Sequence, residues 1–371
     1  MILIHHHTHL PFPHPSHFFP PTFLLRYFKP SFFLSFAADH LGRIDSSDFF
    51  KRLCSSICIA KTRITLQFYD VGGKGLLREQ DIENYIYNLI PDLPPLQGMH
   101  ENFYPFYVFT ATRRFMFFLD PKRCGRIPIR RLVTSPIMEE LLELGMATGG
   151  GATGTTAAEL QSNWFSAESS LRVYSQYLEL DKDQNGLLSK TELMNYVGTE
   201  RQSMRLTPAF IDRIFEEITT YQVGGGGVEG SRKGANSTGE MDYKTFLDFV
   251  LAMENKKTRQ GLNYLWRLLS LGKGYLDSFS ISYFFRDIDM VLKENGIENI
   301  KMADVRDEIF DMVKPKDPLR ITLEDLASSG CADTVIEMLI DNYGFWGYEN
   351  RENIGYEDQE GDEFTEDEIE Q

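Results

Sequence analysis

Apolar residues recur along this chain at spacings of three and four, in separate runs. Phe103–Leu119, Phe210–Tyr221, Leu262–Leu271 and Met302–Val313 each follow that period, so each predicts a helix with one buried face. Leu171, Tyr174 and Leu178, with Val173, Tyr177 and Leu180 beside them, predict another. Between the runs a short signature returns: a glycine, any residue, an aliphatic residue or Met, then a helix start. It stands at Gly42-Arg43-Ile44, Gly75-Leu76-Leu77, Gly125-Arg126-Ile127, Gly186-Leu187-Leu188, Gly239-Glu240-Met241 and Gly274-Tyr275-Leu276. Arg320-Ile321 is a further copy without the glycine. A unit repeated in this way predicts an all-α fold of tandem helix–loop–helix repeats, in an elongated, multi-lobed arrangement.

One copy carries a full set of oxygen donors. Asp181 to Glu192 reads Asp-Lys-Asp-Gln-Asn-Gly-Leu-Leu-Ser-Lys-Thr-Glu, which is the ligand spacing of an EF-hand calcium loop. Asp181, Asp183 and Asn185 supply side-chain oxygens at positions 1, 3 and 5, and Gly186 permits the sharp turn. Leu187 offers its carbonyl, Ser189 can hold a bridging water, and Glu192 can clamp the ion with both carboxylate oxygens. The competing reading, a Ser189/Glu192 capping box beside a solvated turn, leaves most of that spacing unexplained. Ca2+ is therefore the expected cofactor.

The other loops have kept the turn and lost the ligands. Asp70 and Asp81 bracket a loop with Gly72, Lys74 and Arg78 at positions 3, 5 and 9. Asp120–Arg131 is no better, and Leu269, Leu271 and Lys273 precede Gly274. These degenerate hands are expected to be packing units. In each pair, the aliphatic residues at position 8 are expected to pair through their backbones.

The sequence divides into a His/Pro/Phe-rich low-complexity start (1–31), degenerate repeats (32–144) and a Gly-rich insertion (145–162). A hand pair (163–254) follows, containing loop 181–192 and a second Gly-rich insertion (223–239), then a degenerate terminal pair (255–348) and an acidic, disordered tail (349–371). Neither insertion has the Lys-Ser/Thr ending of a phosphate-binding loop. Asn163-Trp164-Phe165-Ser166 is expected to be core, and Cys54 and Cys58 to share a buried helix face.

Composition narrows the function. The chain has 371 residues and a formal charge of -16, but ten acidic residues and no basic one fall in Glu352–Glu370, leaving -6 for the rest. No basic stripe for nucleic acid emerges. No run reaches membrane-spanning length and no secretory signal is visible. Four cysteines without a regular framework point to reduced thiols. Six of the eight histidines lie in the first seventeen residues, a poor supply for acid–base catalysis.

Longer motifs carry a resemblance. Trp164-Phe165-Ser166-Ala167, the hand beginning Leu180-Asp181-Lys182-Asp183, Gly239 to Phe246, Asp307 to Pro318 and Tyr348 to Glu352 are similar to the B-double-prime regulatory subunits of protein phosphatase 2A. The gamma type, with its plant Fass or Tonneau counterparts, is the nearest match, and the similarity covers about residues 32 to 352. The resemblance implies a non-catalytic subunit that docks on the phosphatase scaffold and catalytic subunits and sets substrate choice or location. It also implies cytoplasmic placement, with cytoskeletal, centrosomal or nuclear association and a part in microtubule organisation. Residues 1–31 do not resemble the longer N-terminal region of that family. The alternative is an EF-hand sensor that binds target helices without phosphatase, which predicts several complete loops where one is seen. An enzyme is not expected, since the metallophosphatase signatures Gly-Asp-x-His-Gly and Gly-Asn-His-Glu are absent.

Overall fold

The computed structural model describes residues 29–146, 163–198, 204–217, 221–222, 239–296 and 300–351. Most of the predicted low-complexity start (1–28), the two insertions (147–162 and 223–238) and the acidic tail (352–371) lie outside the described residues. The chain divides into two compact units, Met1–Ser170 and Leu171–Gln371.

In the first unit a turn of helix, Pro30–Phe33, leads to α1 (Ser46–Tyr69), capped by Asp45 accepting from the Ser47 amide. Strand β1 (Leu76–Arg78) and α2 (Glu79–Leu89) follow, then α3 (Tyr104–Leu119), β2 (Arg126–Pro128), α4 (Ile129–Val133) and α5 (Pro136–Met146). Leu77 pairs with Ile127 across the antiparallel β1–β2 bridge, and both side chains are fully buried. The position-8 pairing expected from the repeats therefore joins these two loops. The first copy differs: Ile44 bridges Ala38 of its own loop, and among the described residues no backbone bridge joins it to another hand.

Asn163-Trp164-Phe165-Ser166 is core, as expected, but it belongs to the first unit. The Trp164 indole donates to the Thr110 carbonyl at 3.2 Å, the Tyr107 hydroxyl donates to the Phe165 carbonyl at 2.9 Å, and the Phe115 and Phe165 rings lie 5.3 Å apart. The unit boundary thus falls inside α6 (Ala167–Leu180), beyond the Gly-rich insertion where the sequence suggested it. Aromatic contacts set the division here, and composition does not report them. Cys54 is exposed and Cys58 only half-buried, so the expected buried thiol face is not formed. Phe49, Leu53, Thr62 and Leu66 are the α1 residues turned inward.

The second unit runs through α7 (Lys190–Leu193), α8 (Pro208–Glu217), β3 (Tyr221–Gln222), β4 (Gly239–Glu240), α9 (Tyr243–Glu254), α10 (Arg259–Leu269), β5 (Tyr275–Leu276) and α11 (Ser278–Glu294). It ends with α12 (Met302–Val313), β6 (Ile321–Thr322), α13 (Leu323–Ser328), α14 (Ala332–Ile340) and α15 (Asn342–Glu349). Leu188 and Met241 exchange two backbone hydrogen bonds of 2.8 Å, and Leu276 pairs with Ile321. Both are position-8 pairs. The ring cluster of Tyr177, Tyr196, Phe246 and Phe249 fills the space behind the first of them. On α6, Val173, Tyr177 and Leu180 are buried, whereas Leu171 and Leu178 face solvent, so only half of the predicted apolar stripe is core. The two sequence-level hand pairs, 163–254 and 255–348, share one unit from residue 171 onward. Among the described residues no helix is long and apolar enough to cross a membrane.

Candidate metal centre

Helix α6 carries the chain into the loop at Asp181, and α7 takes it out. The turn between them relies on two left-handed residues, Gln184 (φ 57°) and Gly186 (φ 80°). Glycine adopts that region freely, whereas a side chain there is strained.

Backbone amides fix the carboxylates. Asp181 accepts from the Asn185 amide at 3.1 Å and from the Gly186 amide at 3.0 Å. Asp183 accepts from the Asn185 amide and carboxamide, both at 3.1 Å. The Asn185 side-chain oxygen accepts from the Leu187 amide at 2.7 Å. Glu192 reaches back across the loop: Oε1 accepts from the Lys182 amide at 2.8 Å, and Oε2 from the Ser189 amide and hydroxyl at 2.9 and 2.8 Å. Ser189 also caps α7, so the capping box of the competing reading is present within the ligand set.

Burial pushes the Glu192 carboxyl up, but hydrogen bonds from Ser189, Lys182 and Asp183 more than offset it and hold the group below the usual glutamate value. It is thus kept as an anion.

The structure brings together a carboxylate oxygen from each of Asp181, Asp183 and Glu192, all within 4.8 Å of one another, with Asp181 and Glu192 buried and Asp183 exposed. Among the described residues this is the one group of three or more His, Cys, Asp or Glu side chains so arranged. A donor set made only of oxygen suits a hard divalent cation and not a soft one. The residues present therefore fit Ca2+, which Asp181, Asp183, Asn185, the Leu187 carbonyl and Glu192 would hold.

Tyr177 is a contributor that the sequence reading left as a plain helix residue. Its hydroxyl donates to the Gly186 carbonyl at 2.7 Å and lies 3.4 Å from the Met241 carbonyl, tying the loop's turn to the backbone of the paired hand. Its position one helical turn before Asp181 was the only signal available.

In the silent loops, internal groups replace the ion. Asp70 and Asp120 accept from the Gly75 and Gly125 amides at 2.5 and 2.6 Å, the same position-1 to position-6 bond that Asp181 makes. At position 12 the Arg78 guanidinium binds Asp81 through both carboxylate oxygens, at 3.1 and 3.0 Å, while Arg131 donates to the Leu119 carbonyl at 3.1 Å. Near Gly274, Lys273 pairs with Asp277 at 2.9 Å.

No family model matches the chain. Its sequence is 48% identical over 323 residues to the human gamma-type B-double-prime regulatory subunit of serine/threonine-protein phosphatase 2A, covering 87% of this chain and 65% of that protein. It is 41% identical over 331 residues to TON2 of Arabidopsis thaliana, a probable B-double-prime regulatory subunit of the same phosphatase, covering 89% and 65%. The chain thus spans about 65% of the length of these relatives. Among solved structures, a chain of a PP2A PR70 holoenzyme matches with a TM-score of 0.57 and 20% identity, over 72% of this chain and 91% of that one. That likeness is one of fold, and it agrees with the tandem all-α repeats.

Proposed function

This chain belongs to the gamma type of the B-double-prime regulatory subunits of protein phosphatase 2A, and we propose that it works as a calcium-braced, non-catalytic subunit. In this reading it docks on the phosphatase scaffold and catalytic subunits and sets which phosphoproteins they reach. The observation that carries the calcium part is the cradle of Asp181, Asp183 and Glu192, in a chain whose other described loops have replaced the ion with their own side chains. The solved PP2A PR70 holoenzyme of similar fold, designated diCa, supports the same reading.

Without an ion, three carboxylates share a small loop; a bound Ca2+ neutralises them and fixes the angle between α6 and the exit of the loop. Asp181, Asp183, Asn185, Leu187 and Glu192 hold it, and Tyr177 together with the Leu188–Met241 bridge passes that order to α9. One complete hand beside an incomplete partner favours a structural or modulatory ion over a steep switch. The proposed setting is the cytoplasm, with cytoskeletal or nuclear association, and cytoskeletal or centrosomal proteins are the further partners. Imaging of the tagged chain in cells checks that placement.

The test of function is an affinity pull-down with and without a calcium chelator, read for the phosphatase scaffold and its catalytic partner. The two are expected in the calcium sample and reduced by chelation. Their absence from both samples, or turnover of a phosphopeptide by the purified chain alone at enzyme rates, contradicts the proposal.

A further inference from the structure

Helix α1 carries apolar residues on more than the side it buries. Thr62 and Leu66 are turned inward, and α2 and α4 are packed on the helix. Near its start the rings of Phe32, Phe33 and Phe36 gather around Phe49. On the remaining side Phe50, Cys54, Ile57, Lys61, Ile64 and Phe68 follow one another at alternating spacings of four and three. At about 100° per residue they stay within an arc of about 80°, with Leu66 roughly opposite Phe68. Phe50, Ile64 and Phe68 are 59%, 57% and 82% exposed, Cys54 and Lys61 are exposed, and Ile57 is half-buried.

Scattered exposed apolar side chains are ordinary, but a row of them in register marks a contact surface. Phe50, Ile57 and Ile64 recur every seven residues, and so do Cys54, Lys61 and Phe68. That is the a/d period on which two helices interdigitate, and from Phe50 to Phe68 it runs about 27 Å. A narrow seam with one lysine at an a-type position suits a second helix, where such a residue sets register. A helix lying in a lipid surface needs a broad apolar face instead.

Charge says which kind of helix. Within α1 the basic residues are Lys51, Arg52, Lys61 and Arg63, and the acidic one is Asp48. Among the described residues Lys51, Lys61 and Arg63 form no ion pair, and neither does Arg130 of the adjoining α4. Arg52 lies over the Phe36 ring. The nearby acids are engaged: Asp45 accepts from the Ser47 amide and Asp70 from the Gly75 amide at the two ends of the helix. On α2, Glu79 pairs with Arg113 and Asp81 with Arg78, and Glu83 is buried. The free charge beside the seam is therefore mainly positive.

We propose that the exposed face of α1 docks an amphipathic helix of a partner protein, one with apolar residues at heptad spacing and Glu or Asp on either side of them. Phe50, Ile57, Ile64 and Phe68 supply the apolar contact, and Lys51, Lys61 and Arg63 meet the partner's acids and set its orientation. A second copy of this chain is a poor occupant, because it would bring the same unpaired cations together across the seam. No ligand of loop 181–192 takes part, so the contact is independent of the calcium reading.

The test uses the full chain and two dye-labelled peptides of four heptads, with Ile at a, Leu at d and either Glu or Lys at both e and g. By fluorescence anisotropy the Glu peptide is expected to bind more tightly than the Lys peptide, by on the order of tenfold, with or without a calcium chelator. Phe68→Ser and Ile64→Ser, both at exposed positions, are each expected to weaken the Glu peptide by on the order of tenfold at an unchanged thermal midpoint. Lys61→Glu is expected to erase the preference for Glu, and Phe279→Ser, at an exposed position of the other unit, to change nothing. No binding, equal binding of the two peptides, or equal losses from Phe68→Ser and Phe279→Ser would each overturn the proposal. So would a dimer of the chain alone in sedimentation velocity, or binding to phosphatidylserine vesicles, that Phe68→Ser abolishes.

Discussion

Asp341 shows how a single buried acid is tuned by its surroundings. Fully buried, it caps α15 by accepting from the Tyr343 amide at 3.1 Å, and it accepts from the Arg205 amide at 2.8 Å. Burial pushes its carboxyl above the usual aspartate range, and those amides offset only part of the effect. A carboxyl with a raised folded-state pKa favours its protonated form, so its ionisation costs stability at neutral pH. That cost is relieved as pH falls through the folded value toward the unfolded one. Asp341→Asn, which can still accept both hydrogen bonds, is therefore expected to match or exceed the parent at pH 7, with the difference shrinking toward pH 4. Asp341→Ala is expected to lose about 1–2 kcal/mol through the missing cap. Thermal midpoints across that pH range check both variants. Asp81 has the opposite sign: the Arg78 side chain holds its carboxyl low, so its contribution is present above the unfolded pKa and is lost as acid protonates it.

At the level of elements, the position-8 pairs show what the sequence could and could not tell. Leu77 with Ile127, Leu188 with Met241 and Leu276 with Ile321 were legible because one glycine offset recurs before every one of them except Ile321, whose copy kept only the aliphatic residue and the helix start. The complete loop was legible because ligand chemistry allows so few residue types at each position. Tyr177 was not, since a tyrosine on a helix face reads the same whether or not its hydroxyl finds a carbonyl in a neighbouring loop. Nor was the division at Ser170, which depends on where Trp164 and Phe165 pack. Helix boundaries shifted where glycine-rich sequence intervened: the run predicted to reach Tyr221 ends as α8 at Glu217, and Tyr221–Gln222 pairs with Gly239–Glu240 instead.

Two predictions belong to this scale. If Arg78 stands in for a metal, the triple variant Gly72→Asp, Lys74→Asn, Arg78→Ser gives loop 70–81 a ligand set, and calcium stoichiometry by equilibrium dialysis is expected to rise from one to two. An unchanged value would show that more than ligand chemistry silences that hand. Between α9 and α10, a side chain on Gly261 would place its Cβ 2.1 Å from the Asn255 carbonyl oxygen. Gly261→Ala is accordingly expected to cost about 1–3 kcal/mol or more in urea unfolding, because backbone has to move to admit it.

For the molecule as a whole, the candidate ligands all lie in the second unit, while the silent pair of loops 70–81 and 120–131 lies in the first. Calcium at about 100 times its dissociation constant adds roughly 2.7 kcal/mol to whatever unfolds together with the site. Hydrogen exchange with and without calcium is therefore expected to slow in α6, α7 and α9 and to leave α2 and α3 unchanged. Equal protection in both units would mean that the ion braces more than its own unit. In the role proposed above, an ion held by one unit alone would steady a docking surface of that unit.

The central claim, that Asp181 to Glu192 holds one calcium ion, is tested most directly by calorimetric titration of the parent chain and Glu192→Gln. The parent is expected to bind one ion tightly, and the variant to lose affinity by on the order of tenfold or more, because it surrenders a charged ligand oxygen. Equal affinity in the two proteins, or no saturable heat from the parent, would contradict the account.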